Sequence, residues 1–257
     1  MTRSWRFTEA EFYTLWMDRT GQAPPKPFLF TSATRTVDEF DAEQRDAREG
    51  LGQKVGGDFE VVFDAMANPD LSLTAYGWNE KDRFATDSMI RARATRKGPN
   101  GYLIRQLPGT SYFHRGGYAV TECDPIRLAD EIVSALPPVE RGGLGDIGLA
   151  SREQDLDHEF GRSAIAAAPD AEIFKTREFL ATPVTTAGEI RIVQGRSLFG
   201  PRGTTCHTVR FRDLEGDGRY VVTENPDRAL AVDERRFIAV LNNYVAAVVR
   251  TIKDERG

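Results

Sequence analysis

The chain has 257 residues, with 34 Lys+Arg against 39 Asp+Glu and a formal net charge of −5. A hydrophobic share of 40% and a charged share of 28% are globular values and exclude a collagen-like or wholly disordered chain. The balance lacks the clustered cation excess of nucleic-acid binding, and no window approaches the ~18 consecutive apolar residues of a membrane span.

The first eight residues are polar and mixed, with no apolar core of a secretory signal, so a cytoplasmic protein is expected. A capping box opens the first helix. Thr8 can accept from the Glu11 amide, Glu11 can reach back, and Phe7 and Phe12 stand at the spacing of a hydrophobic staple. Phe12, Leu15 and Trp16 then form one apolar stripe. Gly21 to Pro27 stops this helix and runs extended. A second, very polar helix is predicted over Val37–Glu49, lying on the surface. A third spans Phe59–Met66 and ends at Asn68-Pro69.

Leu71–Tyr76 alternates with period 2, Met89–Arg96 less regularly, and Gly98-Pro99-Asn100-Gly101 signals a turn before Tyr102–Arg105. Leu71–Arg105 therefore reads as a three-strand antiparallel meander. Gly117–Glu122 adds a strand. Asp124 and Pro125 read as N-cap and first residue of an amphipathic helix, whose apolar face is Ile126, Ala129, Ile132, Val133 and Leu136. The Gly/Pro-rich stretch Pro137–Ser151 reads as a linker. A helix over about Ala171–Leu180 follows, then strands at Ala187–Gln194, Thr205–Arg212 and Arg219–Glu224, with Asp217-Gly218 as a hairpin turn. The apolar positions of Glu234–Lys253 recur at helical spacing.

Tyr118-Ala119-Val120-Thr121-Glu122 echoes Tyr220-Val221-Val222-Thr223-Glu224. The order of elements around the two pentapeptides is also alike. The expectation is a single α+β domain over 1–257, a central antiparallel sheet flanked by helices. Its two pseudo-twofold halves, about 1–136 and 152–257, are joined by the linker 137–151.

Candidate chemistry is sparse. Asp213, Glu215, Asp217, Gly218 and Glu224 mimic a calcium loop, but period-2 flanks instead of helices make it a charged hairpin tip. His114, His158 and His207 form no zinc motif, and Cys206 and His207 are adjacent, so a strand sends them to opposite faces. Cys123 and Cys206 cannot make a disulfide framework and read as buried thiols. Gly142-Gly143-Leu144-Gly145 follows a proline pair and lacks a P-loop lysine. No catalytic residue, cofactor or metal site is expected. Arg91, Arg93, Arg96 and Lys97 read either as a solvated sheet edge or as a patch for an acidic partner.

Phe7-Thr8-Glu9-Ala10-Glu11-Phe12 with Leu15-Trp16 resembles the opening of the EspG family, the type VII secretion-associated chaperones of actinobacteria. The segment Pro24–Phe28 is similar as well, as are the closing run Asp213–Tyr220 and the terminal helix through Val232–Tyr244. The resemblance implies a cytosolic, non-enzymatic chaperone of mixed α/β fold without a cofactor. It would grip the apolar tip of secreted PE–PPE helical pairs with its sheet and C-terminal helices, keeping them soluble for export. Contact residues share no short motif. They are therefore expected on structural grounds at the turn after the second strand (Arg96, Lys97, Asn100) and on the last helix (Phe237, Leu241, Tyr244). The polar stretch Ser151–Phe160 departs from the family, where a more apolar strand is expected. Neither nucleic-acid binding nor membrane insertion is expected, and a homodimer is compatible with this reading. The rival readings are a small-molecule binder or enzyme on an α/β sheet, and an adaptor that dimerises through a sheet edge.

Overall fold

The structure is a computed structural model and describes residues 2–149, 170–223 and 227–257. In chain order the elements are β1 (Ser4–Phe7), α1 (Glu9–Thr20), α2 (Val37–Lys54), α3 (Phe59–Ala67), β2 (Leu71–Asn79), β3 (Ile90–Lys97), β4 (Asn100–Gln106) and β5 (Tyr118–Cys123). Then come α4 (Leu128–Ser134), β6 (Ile147–Gly148), α5 (Asp170–Ala181), β7 (Val184–Gln194), β8 (Cys206–Leu214), β9 (Arg219–Thr223), β10 (Arg228–Ala231) and α6 (Glu234–Arg256). The strands form one ten-stranded sheet in the order β1-β5-β4-β3-β2-β7-β8-β9-β10-β6. Every ladder between neighbouring strands is antiparallel. The fold is α+β, as the sequence predicts.

The α1 start is as expected. Thr8 Oγ1 accepts from Glu11 N at 3.1 Å, the Thr8 amide donates to Glu11 Oε2 at 2.8 Å, and the Phe7 and Phe12 rings lie 6.1 Å apart. Such a cap stabilises a helix by about 1 kcal/mol. Gly21 ends α1 in the left-handed region at φ 68°, its amide bonded to Met17 O. The second helix outruns its expected end and is less solvated than predicted. Thr36 and Glu39 form a second capping box. Gln44, Ala47 and Leu51 are buried, and Gln44 Oε1 accepts from Thr14 Oγ1 at 2.6 Å. One polar helix thus hides a narrow stripe against α1.

Alternation sends each strand's residues to two faces. One face carries Leu73, Ala75, Ala94, Ile190, Ile192, Val209 and Phe211 into a core closed by α4 and α6. On the other face, α1 and α3 cover the β1-β5-β4 flank over Tyr102, Ile104 and Tyr118. On the opposite flank Phe179 of α5 packs with Tyr220, Ala229 and Ala231. Between these flanks the second face of β3, β2 and β7 carries a cleft of about 640 Å³.

The strand order reads alike outward from the central β2–β7 pair, four-stranded meander for meander, each followed by a helix. The echoing pentapeptides are nevertheless not counterparts. Tyr118 lies on the fourth strand from the centre, Tyr220 on the third, and β10 intervenes before α6. Both tyrosines are fully buried on the same face under a helical cluster, so equal burial accounts for the likeness.

Four further expectations are corrected. Asp124 does not cap α4: it closes a turn, accepting from Ile126 N at 2.9 Å, and α4 begins after Arg127. Ile126 is consequently outside the core, 76% exposed. The stretch from Pro137 to Leu149 is packed rather than a free linker. It carries β6, and Gly142 lies so close to Tyr220 that a Cβ there would fall 2.0 Å from the ring. The left-handed residue of the β8–β9 hairpin is Gly216 at φ 72°, one position before the expected Asp217-Gly218 pair. Cys206 is exposed and only Cys123 is part-buried. The departure at Ser151–Phe160, His158, and Glu224 of the calcium-loop mimic lie outside the described residues.

Candidate functional site

Two loops meet at the end of the sheet where β2 leaves it. The β2–β3 loop is shaped by side-chain turns. Asn79 Oδ1 accepts from the Lys81 and Asp82 amides at 2.8 and 3.1 Å, and Asp82 Oδ1 accepts from Phe84 N at 3.0 Å. These local bonds favour a turn over a continued strand. The β4–β5 loop is closed at its base by Leu107 N to Gly117 O and Gly116 N to Leu107 O, and its tip by His114 N to Ser111 Oγ at 3.0 Å. Gly117 sits at φ 91° against the Phe7 carbonyl, where any Cβ would collide.

Arg115 ties the loops together. Its Nη2 donates to Thr86 O at 3.1 Å and its amide to Glu9 Oε2 at 2.8 Å. Burial raises the Glu9 carboxyl above its ordinary range despite that amide. The two loops present a chain of edge-on rings: Phe84 against Tyr112 at 5.2 Å, and Tyr112 against Phe113 at 5.0 Å. Tyr76 and Trp78 continue it along β2 at 5.3 Å, with Arg83 over the Trp78 ring at 5.5 Å. Phe84 is 65% and Phe113 52% exposed. Exposed aromatic side chains gathered on one surface can mark a protein-binding patch.

The chain matches the EspG family over residues 8–232. It belongs to the EspG family. Among solved structures, this EspG chain is similar to the Mycobacterium tuberculosis type VII secretion system chaperone EspG5, solved in complex with a PE25–PPE41 dimer. The two are 11% identical with a TM-score of 0.50, over 99% of this chain and 96% of that one. The likeness is one of fold. No curated protein matches this EspG chain by sequence.

The residues expected to touch a partner are scattered over this EspG fold. Arg96, Lys97 and Asn100 sit at the β3–β4 turn, at the opposite end of β2 from the aromatic patch. Lys97 Nζ is held by Asp64 Oδ2 at 2.6 Å, which holds the Asp64 carboxyl below its usual range. Phe237 and Leu241 are fully buried under the sheet, with Phe237 6.0 Å from Phe211. They are core residues and cannot meet a partner on the folded chain. Tyr244 is half-buried over His207 at 5.2 Å. The aromatic patch escaped the sequence reading because its rings come from loops about 30 residues apart in sequence. The available signal was the density of Trp78, Phe84, Tyr112 and Phe113 in otherwise polar, turn-rich stretches.

The calcium-loop mimic is a hairpin of ion pairs. Asp213 pairs with Arg219, Glu215 with Lys81 at 2.5 Å, and Asp217 accepts from Tyr220 Oη at 2.5 Å. Among the described residues no group of His, Cys, Asp and Glu is arranged to hold a metal ion, and no helix is long and apolar enough to cross a membrane.

Proposed function

We propose that this EspG-family chain is a cytoplasmic, non-catalytic chaperone of type VII secretion. It binds PE–PPE-type helical pairs and keeps their apolar tip soluble until export. Family membership across most of the chain supports the role, and the complex of the similar EspG5 with a PE25–PPE41 dimer supports the client class. The observation that carries the reading is the pair of exposed rings, Phe84 and Phe113, on loops braced by Arg115. An apolar tip on a secreted helical hairpin would self-associate in water. A fixed aromatic patch covers it with little ordering entropy lost, since rings have few rotatable bonds.

The test is co-expression of the full chain with each PE–PPE pair of its own genome, followed by affinity capture and gel filtration. A stoichiometric complex with one pair supports the reading. Phe84→Glu and Phe113→Glu, both at exposed positions, are expected to abolish that complex while leaving the thermal midpoint unchanged. Failure of every pair to co-purify overturns the chaperone reading, and full retention by the double variant overturns the assignment of the client surface to Phe84 and Phe113.

A further inference from the structure

The cleft of about 640 Å³ between the helical flanks is lined by four cationic side chains, Lys26, Arg91, Arg93 and Arg191, against one carboxylate, Glu189. Strand register explains how they gather. Arg93 of β3 and Arg191 of β7 both pair with Thr74 of β2, so one Thr hydroxyl is flanked by two arginines on the same face. Strands lie about 4.8 Å apart, which separates the two backbones by about 10 Å. Two extended guanidinium groups can bridge that span to one oxyanion. Arg191 Nη2 itself lies 3.5 Å from Cys206 Sγ on β8, so Arg191 would turn from there toward Thr74 when a ligand binds. One residue pair along, Arg91 pairs with Tyr76 and Tyr76 with Glu189, which puts the carboxylate in a different cross-strand row from Arg93.

These arginines are poorly compensated inside the protein. The Arg93 Nε and the Arg91 Nε are buried without a hydrogen-bond partner among the described residues. Arg91 Nη1 donates to the neutral Gln106 Oε1 at 3.2 Å, and its guanidinium lies 4.9 Å from the Tyr112 ring centre. Burial with no facing carboxylate pulls the Arg93 guanidinium down to about 10, so it remains charged at neutral pH. A buried cation left without a counter-charge is strongly unfavourable, and such arrangements are kept where a ligand supplies the charge.

The rest of the lining narrows the ligand class. A cleft of this size exceeds a bare phosphate and falls in the range of small-molecule sites. Its remaining walls include the half-buried Tyr76, Tyr112 and Leu29, surfaces that take an aromatic body. We propose that the cleft is a binding site for a small aryl oxyanion, whose phosphate or carboxylate is held by Arg93 and Arg191 across Thr74 and whose ring lies against Tyr76 and Tyr112. The cleft adjoins the proposed client patch and shares Tyr76 and Tyr112 with it, while the exposed rings Phe84 and Phe113, on which client capture is tested, lie outside the cleft lining.

Isothermal titration of the full chain with phenyl phosphate tests it, with inorganic phosphate and phenol as comparison probes. Phenyl phosphate is expected to bind, more weakly as salt rises. Inorganic phosphate is expected to bind about tenfold less tightly and phenol not at all, since the charge-assisted bonds carry the affinity. Arg93→Gln and the exposed-position variant Arg191→Gln are each expected to lose about tenfold or more in affinity, the size of one charged hydrogen bond. Arg93→Lys is expected to recover only part of it, because an ammonium cannot fork. Without ligand, Arg93→Gln is expected to melt no lower than the parent chain. Absence of binding at ~10 mM phenyl phosphate, an affinity weaker than about 3 kcal/mol, overturns the proposal. So does equal affinity in the parent and both Gln variants.

Discussion

Asp213 and Arg219 form a fork-to-fork ion pair inside the β8–β9 hairpin, Nε to Oδ1 at 2.7 Å and Nη2 to Oδ2 at 2.8 Å. Their side chains are 3% and 6% exposed. Arg219 Nη2 also donates to Pro137 O at 3.0 Å, and its guanidinium lies 5.2 Å from the Phe211 ring centre. One side chain thus joins the hairpin to the segment that follows α4. Truncating one partner strands the other as a buried charge, which costs about 3–5 kcal/mol. Asp213→Ala is expected to lower stability by about that much in urea denaturation. The double variant Asp213→Leu/Arg219→Met is expected to recover part of the loss, since apolar groups of similar volume leave no charge uncompensated.

The Asp146–Arg236 pair gives stability a defined pH dependence. Arg236 donates to both carboxylate oxygens at 2.6 Å, and these bonds lower the Asp146 carboxyl below its ordinary value. A carboxyl whose folded pKa lies below its unfolded one stabilises fully above the unfolded value, about 3.9. The contribution disappears as pH falls through the folded value. Urea midpoints of the parent chain and Asp146→Asn should therefore differ at pH 6 and draw together as pH falls below the ordinary carboxylate range and through the lowered folded value. A gap that widens on acidification would contradict this assignment.

The two thiols should differ in reactivity. Cys206 is exposed at the start of β8. Burial pushes the Cys123 thiol up to about 12, far from the thiolate form that attacks an alkylating agent. Iodoacetamide at pH 8 is expected to modify Cys206 alone in the native chain, and both cysteines in guanidinium. Mass spectrometry of the peptides reads the outcome directly.

Much of the fold is legible in the sequence because its signals are local. The Thr8–Glu11 box, the period-2 runs of β2 and β7 and the apolar stripe of α6 each depend on residues within a few positions of one another. What escaped depends on distant partners. Gly142 looks like a hinge until Tyr220 is packed against it, and Asp124-Pro125 looks like a cap until the turn before α4 is traced. The site was less legible than the fold for the same reason. Arg91 and Arg93 stand out as same-face cations, but only the pairing of β2 with β7 adds Arg191 to them. The aromatic patch needs two loops brought together by Arg115.

The same distinction separates two groups of residues on the client question. Phe237 and Leu241 carry the apolar face of α6 that closes the core, so Leu241→Ala removes buried methyls and leaves a cavity. It is expected to cost about 2–5 kcal/mol, read as a lower urea midpoint, and to weaken client capture only to the extent that the chain unfolds. Lys97→Ala removes a half-exposed pair with Asp64, worth less than about 1 kcal/mol, and sits at the far end of β2 from Phe84. Capture at a temperature where every variant is folded then discriminates. Leu241→Ala and Lys97→Ala are expected to retain the client, and Phe84→Glu to lose it. Loss with Lys97→Ala and retention with Phe84→Glu would move the client surface to the β3–β4 turn.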